Sequence, residues 1–142
     1  MSIFIHLEVV TPESVLISED TDLVTAPGVE GYFGVMAGHA PMVTLLKPGV
    51  MTMGFPVGPE DNRVKRYVIA GGYVEVLPEK VTILTERAVA REDLNRQQVE
   101  QELKDAQERL CAIPSTDGQC AYWQNRVDFA NACLSVLNKQ MV

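Results

Sequence analysis

The chain predicts an α+β fold: an N-terminal all-β sandwich over residues 1–90, followed by a C-terminal antiparallel two-helix hairpin over residues 91–142. Three features lead there. Turn residues recur about every eight to twelve positions through the first 85 residues, the spacing of sandwiches and barrels. No helical pattern separates the strands, which argues against a parallel α/β arrangement. From residue 91 the apolar period lengthens from two to that of a helix.

Ile3, Ile5, Leu7 and Val9 alternate with Phe4, His6, Glu8 and Val10, and so predict a first strand with one mostly apolar face. Thr11-Pro12-Glu13-Ser14 breaks it, and Val15 to Ile17 opens a second. Leu23 to Ala26 follows, with Pro27-Gly28 as its turn. Phe33 to Met36 and Met42 to Leu46 flank a bend at Gly38-His39-Ala40-Pro41, and Lys47-Pro48-Gly49 reads as a turn into Val50 to Met53. Gly54 through Asn62 is rich in glycine and proline and predicts an exposed loop. Val64 to Ala70 and Tyr73 to Leu77 read as a hairpin joined by Gly71-Gly72, with Val81 to Thr85 as the last strand.

The first helix starts at a well-marked N-terminus. Asn95 is a good N-cap with Gln98 three residues on, and Leu94 with Val99 makes a hydrophobic staple. Val99, Leu103, Ala106 and Leu110 form its seam, while Glu100–Lys104 and Asp105–Arg109 are favourable pairs on the exposed side. Ile113 to Gly118 makes the loop. The second helix carries a seam of Trp123, Val127, Ala130, Leu134, Leu137 and Met141, longer than the first can cover, so it must find another surface. A two-helix hairpin has little core of its own. It packs on the β domain, on a partner, or on each at different times.

Composition excludes several classes. With 46% apolar and 22% charged residues the chain reads as globular, not disordered. The net charge of −7 leaves neither part basic, which argues against nucleic-acid and anionic-membrane binding. No run of eighteen apolar residues predicts a membrane span, and the N-terminus lacks the basic stretch of a signal peptide. A bacterial-type cytoplasm is therefore the expected compartment. Cys111, Cys120 and Cys133 form an odd set without Cys-x-x-Cys, which suits unpaired thiols in a reducing environment.

No motif carries catalysis. Phosphate-loop, nucleophile-elbow and zinc-protease patterns are absent, and the glycines at 28, 31, 34 and 38 do not spell a dinucleotide fingerprint. His39 has no nucleophile or orienting carboxylate beside it and reads as a buried or turn-bonded imidazole. His6 reads as a sheet-face residue. The two histidines and three cysteines show no ligand spacing, so neither a metal nor a cofactor is expected. Tyr122 and Trp123 read as packing residues.

Two longer motifs point to a family. Gly38-His39-Ala40-Pro41 is followed by Leu46-Lys47-Pro48-Gly49, and Gly71-Gly72-Tyr73-Val74-Glu75-Val76-Leu77-Pro78 runs on into Val81-Thr82-Ile83-Leu84. In this order the segment resembles the bacterial-type epsilon subunit of the F-type ATP synthase, closely over residues 1 to about 90 and in general plan beyond. The resemblance implies a non-catalytic rotor subunit of the central stalk, peripheral on the cytoplasmic face of the bacterial inner membrane. Its sandwich would dock on the gamma subunit and sit on the c-ring. Glu30, Gly31, Tyr32, Phe33 and Gly34, with His39 and Met42, match the region facing the c-ring. Tyr32 stands where relatives often carry an acidic residue; an aromatic anchor suits an interface equally well.

The resemblance also implies a regulatory hairpin, with Trp123, Arg126, Val127, Leu134 and Leu137 meeting the catalytic alpha/beta head and restraining ATP hydrolysis. Several bacterial relatives bind ATP through Ile/Leu-Asp-x-x-Arg-Ala. The matching positions here are Leu94-Asn95-Arg96-Gln97-Gln98-Val99, without the aspartate, arginine or alanine. Basic residues on the second helix are reduced to Arg126 and Lys139, so docking would rest on apolar packing more than charge. The competing class is a small nucleotide-binding sensor whose hairpin closes over its ligand.

Overall fold

The computed structural model describes residues 3–55 and 64–138. Most of the loop expected at Gly54–Asn62, together with Lys139 and Met141, lies outside them. Among the described residues, eight strands precede two helices: β1 Ile5–Val10, β2 Val15–Thr21, β3 Val24–Gly28, β4 Gly31–Val35, β5 Met42–Met53, β6 Lys65–Val76, β7 Lys80–Leu84 and β8 Ala88–Ala90. A 3₁₀ turn at Arg91–Asp93 leads into α1 Arg96–Ala112 and α2 Cys120–Leu137. The strand order is β2-β1-β7-β6-β5-β3-β4, with β8 also on β6. β1 and β7 are parallel, and every other pair is antiparallel.

Three expected turns are not turns. Lys47-Pro48-Gly49 lies inside β5, and Gly71-Gly72 lies inside β6. These twelve-residue strands pair along their whole length, from Met42↔Val76 to Met53↔Lys65. Their bends coincide, because Leu46 pairs with Gly72 and Pro48 with Ala70 while one residue on each side is skipped. Bending two paired strands together carries them from one layer to the other and closes the corner of the sandwich. Gly71 and Gly72 supply the positive φ angles of 94° and 116° that the corner needs. Pro27-Gly28 is likewise the end of β3, and the turn is at Val29-Glu30. A register shift between Thr25 and Gly28 accommodates the proline, which has no amide to donate to β5.

Between the layers lies one core. Ile5, Leu7 and Val9 alternate inward from β1, and Met51, Ile69, Val74, Val76, Val81 and Ile83 meet them, all at 1% exposure or less. Burial of each such side chain contributes roughly 1.5–3 kcal/mol. His6, between two of these, bonds across the strand pair: Nδ1 is 2.8 Å from the Asp20 carboxylate and Nε2 is 3.0 Å from Ser18 Oγ.

The helices form a second, smaller cluster on the outer face of the sandwich. Val50, Val68 and Val89 are register partners across β5, β6 and β8. Phe129, Cys133 and Val136 of α2 pack into this cluster. Asn95 caps α1, accepting from the Gln98 amide at 3.2 Å, and Leu94 and Val99 both join the cluster as the staple requires. On the exposed side of α1, Asp105 accepts from Gln101, in place of the expected Glu100–Lys104 and Asp105–Arg109 pairs, and Arg109 lies over the Trp123 ring at 5.3 Å.

The expected seam of α2 needs correction. Val127 and Ala130 are buried, but Trp123, Leu134 and Leu137 are only half-buried, while Phe129, Cys133 and Val136 are the residues set against the sandwich. α2 therefore uses two apolar faces, one toward α1 and one toward the strands, and its described part is not left uncovered. All three cysteines are free thiols.

Cys133 carries a pH prediction. Burial pushes its thiol from the ordinary 9.0 up to about 12, because a thiolate there would lack solvent. The unfolded chain releases this proton first. Its stabilising effect is thus complete below about pH 9 and is lost as pH rises toward 12. Urea midpoints on either side of that lower limit should fall more for the native chain than for Cys133→Ala.

Candidate partner-binding surfaces

The residues expected to meet a partner fall on two parts of the sandwich. Glu30 is at the exposed β3–β4 turn, and Gly31–Gly34 run along the edge strand β4. Tyr32 is 59% exposed, yet its hydroxyl accepts from the Val50 amide at 3.3 Å and Lys47 Nζ lies 6.0 Å from its ring centre. Phe33 is half-buried against the core. His39 and Met42 sit elsewhere, beside the β6–β7 turn: Gly38 donates to Pro78 O at 2.7 Å, and Met42 pairs with Val76. The His39 ring nitrogen Nδ1 is 2.7 Å from Ala40 O, so the imidazole is bonded within its own turn.

A larger surface escaped the sequence reading. Leu45, Tyr73, Leu84, Val10 and Val15 are register partners in succession across β5, β6, β7, β1 and β2. Leu45, Tyr73 and Val15 are 60%, 47% and 56% exposed, and Val43 and Val29 add to the patch from either side of Leu45. An apolar row across five strands is more than scattered surface hydrophobics, and it has the composition of an interface core. The signal was present: Met42 to Leu46 is apolar on both faces except at Thr44, as a strand covered on two sides would be.

Where this row passes beneath the start of α2 the surface deepens into a cleft of about 760 Å³, lined by Thr11, Gly72, Tyr73, Arg87, Tyr122 and Arg126 among others. Its arginines are engaged. Arg87 donates to Glu102 at 3.3 Å and lies over Phe129, while Arg126 donates to the Tyr122 hydroxyl at 3.2 Å and flanks the Trp123 ring. Glu86 and Glu102 add negative charge to the rim. Such a lining opposes a polyphosphate. Among the described residues no group of three or more His, Cys, Asp or Glu side chains is placed to hold a metal. No described helix is long and apolar enough to cross a membrane.

This architecture, a bent-strand sandwich with a two-helix hairpin on its outer face, has known counterparts. Residues 4–91 match the model of the ATP synthase delta/epsilon chain β-sandwich domain. Over 142 residues, all of both chains, the protein is 37% identical to the ATP synthase epsilon chain of Magnetococcus marinus. It is 46% identical over 106 residues to that of Desulfatibacillum aliphaticivorans, covering 75% of this chain and 72% of the relative. Its fold is similar to a chain in the cryo-EM structure of the Euglena gracilis mitochondrial ATP synthase OSCP/F1/c-ring in rotational state 1, with a TM-score of 0.76 at 24% identity, covering 96% of this chain and 83% of that one. A similar chain in the Tetrahymena thermophila mitochondrial ATP synthase central stalk/c-ring gives a TM-score of 0.61 at 15% identity. The protein belongs to the ATP synthase epsilon chain family, whose members are accessory, non-catalytic subunits of that complex.

Proposed function

We propose that this chain is the rotor subunit that couples the c-ring to the gamma subunit and the catalytic head, on the cytoplasmic face of the bacterial inner membrane. The sandwich, residues 1–90, is the assembling unit, and the hairpin, residues 91–142, is a mobile brake on ATP hydrolysis. The observation that carries this reading is the row Leu45–Tyr73–Leu84–Val10–Val15, exposed at Leu45, Tyr73 and Val15 and half-buried at Leu84 and Val10, which offers a stiff sheet an apolar face for gamma. Transmission of torque needs such a broad face on a rigid support, not reactive groups. The Glu30–Gly34 edge, with exposed Tyr32, is the candidate contact for the c-ring, and His39 and Met42 contribute from the Pro78 turn.

Charging the row tests the assignment. Tyr73→Asp is expected to abolish co-purification with gamma while leaving the thermal midpoint of the isolated chain within about 2 °C, since an exposed substitution costs little stability. Normal assembly of that variant would remove the row from the interface. A chain ending near Arg91 is expected to join a depleted complex and restore proton-driven synthesis. It would expose Val50 and Val68, so threonine at both positions is the variant to use if the fragment aggregates.

The competing sensor reading is addressed by calorimetry with magnesium-ATP. Asn95 is engaged as a cap with the amide of Gln98, and the cleft arginines are already partnered. Loss of a charged phosphate partner typically weakens binding by about two orders of magnitude. Dissociation in the millimolar range or weaker is expected, and micromolar affinity would restore the sensor reading.

A further inference from the structure

We propose that β8 and the two arginines bracketing it, Arg87 and Arg91, form a clasp that sets whether the hairpin lies on the sandwich or leaves it. The inference rests on the reading of the hairpin as mobile and names the device that would hold it.

Arg87 is anchored before it reaches out. Its carbonyl accepts from the Ala70 amide at 3.0 Å and from Thr85 Oγ1 at 3.2 Å, which ties it to the bend of β6 and the end of β7. From that point its guanidinium touches both helices. It lies 4.6 Å from the ring centre of Phe129 on α2 and donates to Glu102 on α1 at 3.3 Å. Beyond the three residues of β8, Arg91 Nε donates to Val136 O at 3.4 Å, in the last turn of α2. A cation is favoured beside the carbonyls of a helix's last turn. Phe129 and Val136 lie two helical turns apart, roughly 10 Å. The clasp therefore holds α2 at two points along its length.

The surface beneath is small enough for such a device to matter. Among the described residues, seven buried ones make up the hairpin cluster against fifteen in the sandwich core. Local opening follows the smaller cluster, so the hairpin is the part that lifts before the sandwich unfolds. Because Arg87 contacts both α1 and α2, the two helices are released together.

Cys133 reports the opening. It is 1% exposed and lies in the cluster that separates when α2 lifts, whereas Cys111 is exposed throughout. The full chain is treated with N-ethylmaleimide, and the labelling rate of each cysteine is read by peptide mass. Arg87→Ala is expected to raise the Cys133 rate about tenfold, the scale of losing a partly buried cation–π contact, with the Cys111 rate unchanged. Arg87→Lys keeps the charge without the planar stack and should fall between the two. Electrostatics alone would act the other way: the Arg87 charge lowers the Cys133 pKa, so its loss leaves less thiolate and slows alkylation. An acceleration therefore reports opening. Amide exchange at Val74 and Ile83 separates release from unfolding, because these core amides stay protected if only the hairpin lifts. Cys133 labelling at the native rate in Arg87→Ala, or acceleration only with loss of core protection in both Arg87→Ala and Arg87→Lys, overturns the clasp. ATPase of the complex rebuilt with Arg87→Ala is read separately: faster labelling without altered hydrolysis upholds the clasp and rejects the brake.

Discussion

Gly72→Ala is expected to lose about 3 kcal/mol or more of stability, enough to lower the thermal midpoint by roughly 10 °C. Two effects add. The residue has a φ of 116°, where a side chain is strained, and an added Cβ would stand 1.9 Å from Leu84 O and 2.9 Å from its carbonyl carbon. Neither atom can move aside, since Leu84 is held by pairing to both Tyr73 and Val10. Relief would require parting β6 from β7 at the corner where the layers join. Thermal unfolding followed by circular dichroism measures the loss, with two glycines as references. Gly31→Ala shares the positive φ but meets nothing within 4 Å, so it should show the conformational cost alone. Gly118→Ala, also in open space and without a positive φ, should be close to neutral. A Gly72→Ala chain as stable as Gly118→Ala would refute the bent-strand corner.

Deleting residues 91–142 is expected to raise ATP hydrolysis by the purified complex about fivefold or more, the scale of a regulatory coupling of 1–3 kcal/mol. The packing of α2 shows what such a brake would offer its target. When the hairpin leaves the sandwich it uncovers Phe129, Cys133 and Val136, an apolar row that now rests on Val50 and Val68. Added salt should weaken the brake little, because screening acts on exposed charges and barely on buried apolar area. Arg126→Ala should do little, its guanidinium being occupied with Tyr122 and Trp123. Leu134→Asp, which places a charge at the half-buried edge of the helical seam, should act like the deletion. Equal hydrolysis by truncated and intact complexes would make the hairpin a structural appendage.

Where the sequence could be read, local rules were enough. The alternation of Ile5, Leu7 and Val9 requires one buried face whatever the partner strand. Asn95 with Gln98 marks a helix start through atoms three residues apart. The change of period near residue 91 separates strands from helices without knowledge of their packing. Both family motifs also lie in continuous stretches, which is why the resemblance was visible before the fold.

What only the tertiary structure decided depends on atoms far apart in the chain. Gly71-Gly72 and Lys47-Pro48-Gly49 carry the chemistry of turns, and each alone would reverse the chain. Paired with one another, they bend two strands together and make a corner, because Leu46 and Gly72 must match in register. The apolar row from Leu45 to Val15 exists only once five strands stand side by side, as no two of its members are neighbours in sequence. The second face of α2 appears only when there is a sheet beneath it, since Phe129, Cys133 and Val136 fall outside a seam drawn for one partner helix. Periodicity records that a residue is apolar and how often it recurs. Which surface covers it is settled by long-range pairing, and in this chain the candidate interface and the hairpin clasp are both products of that pairing.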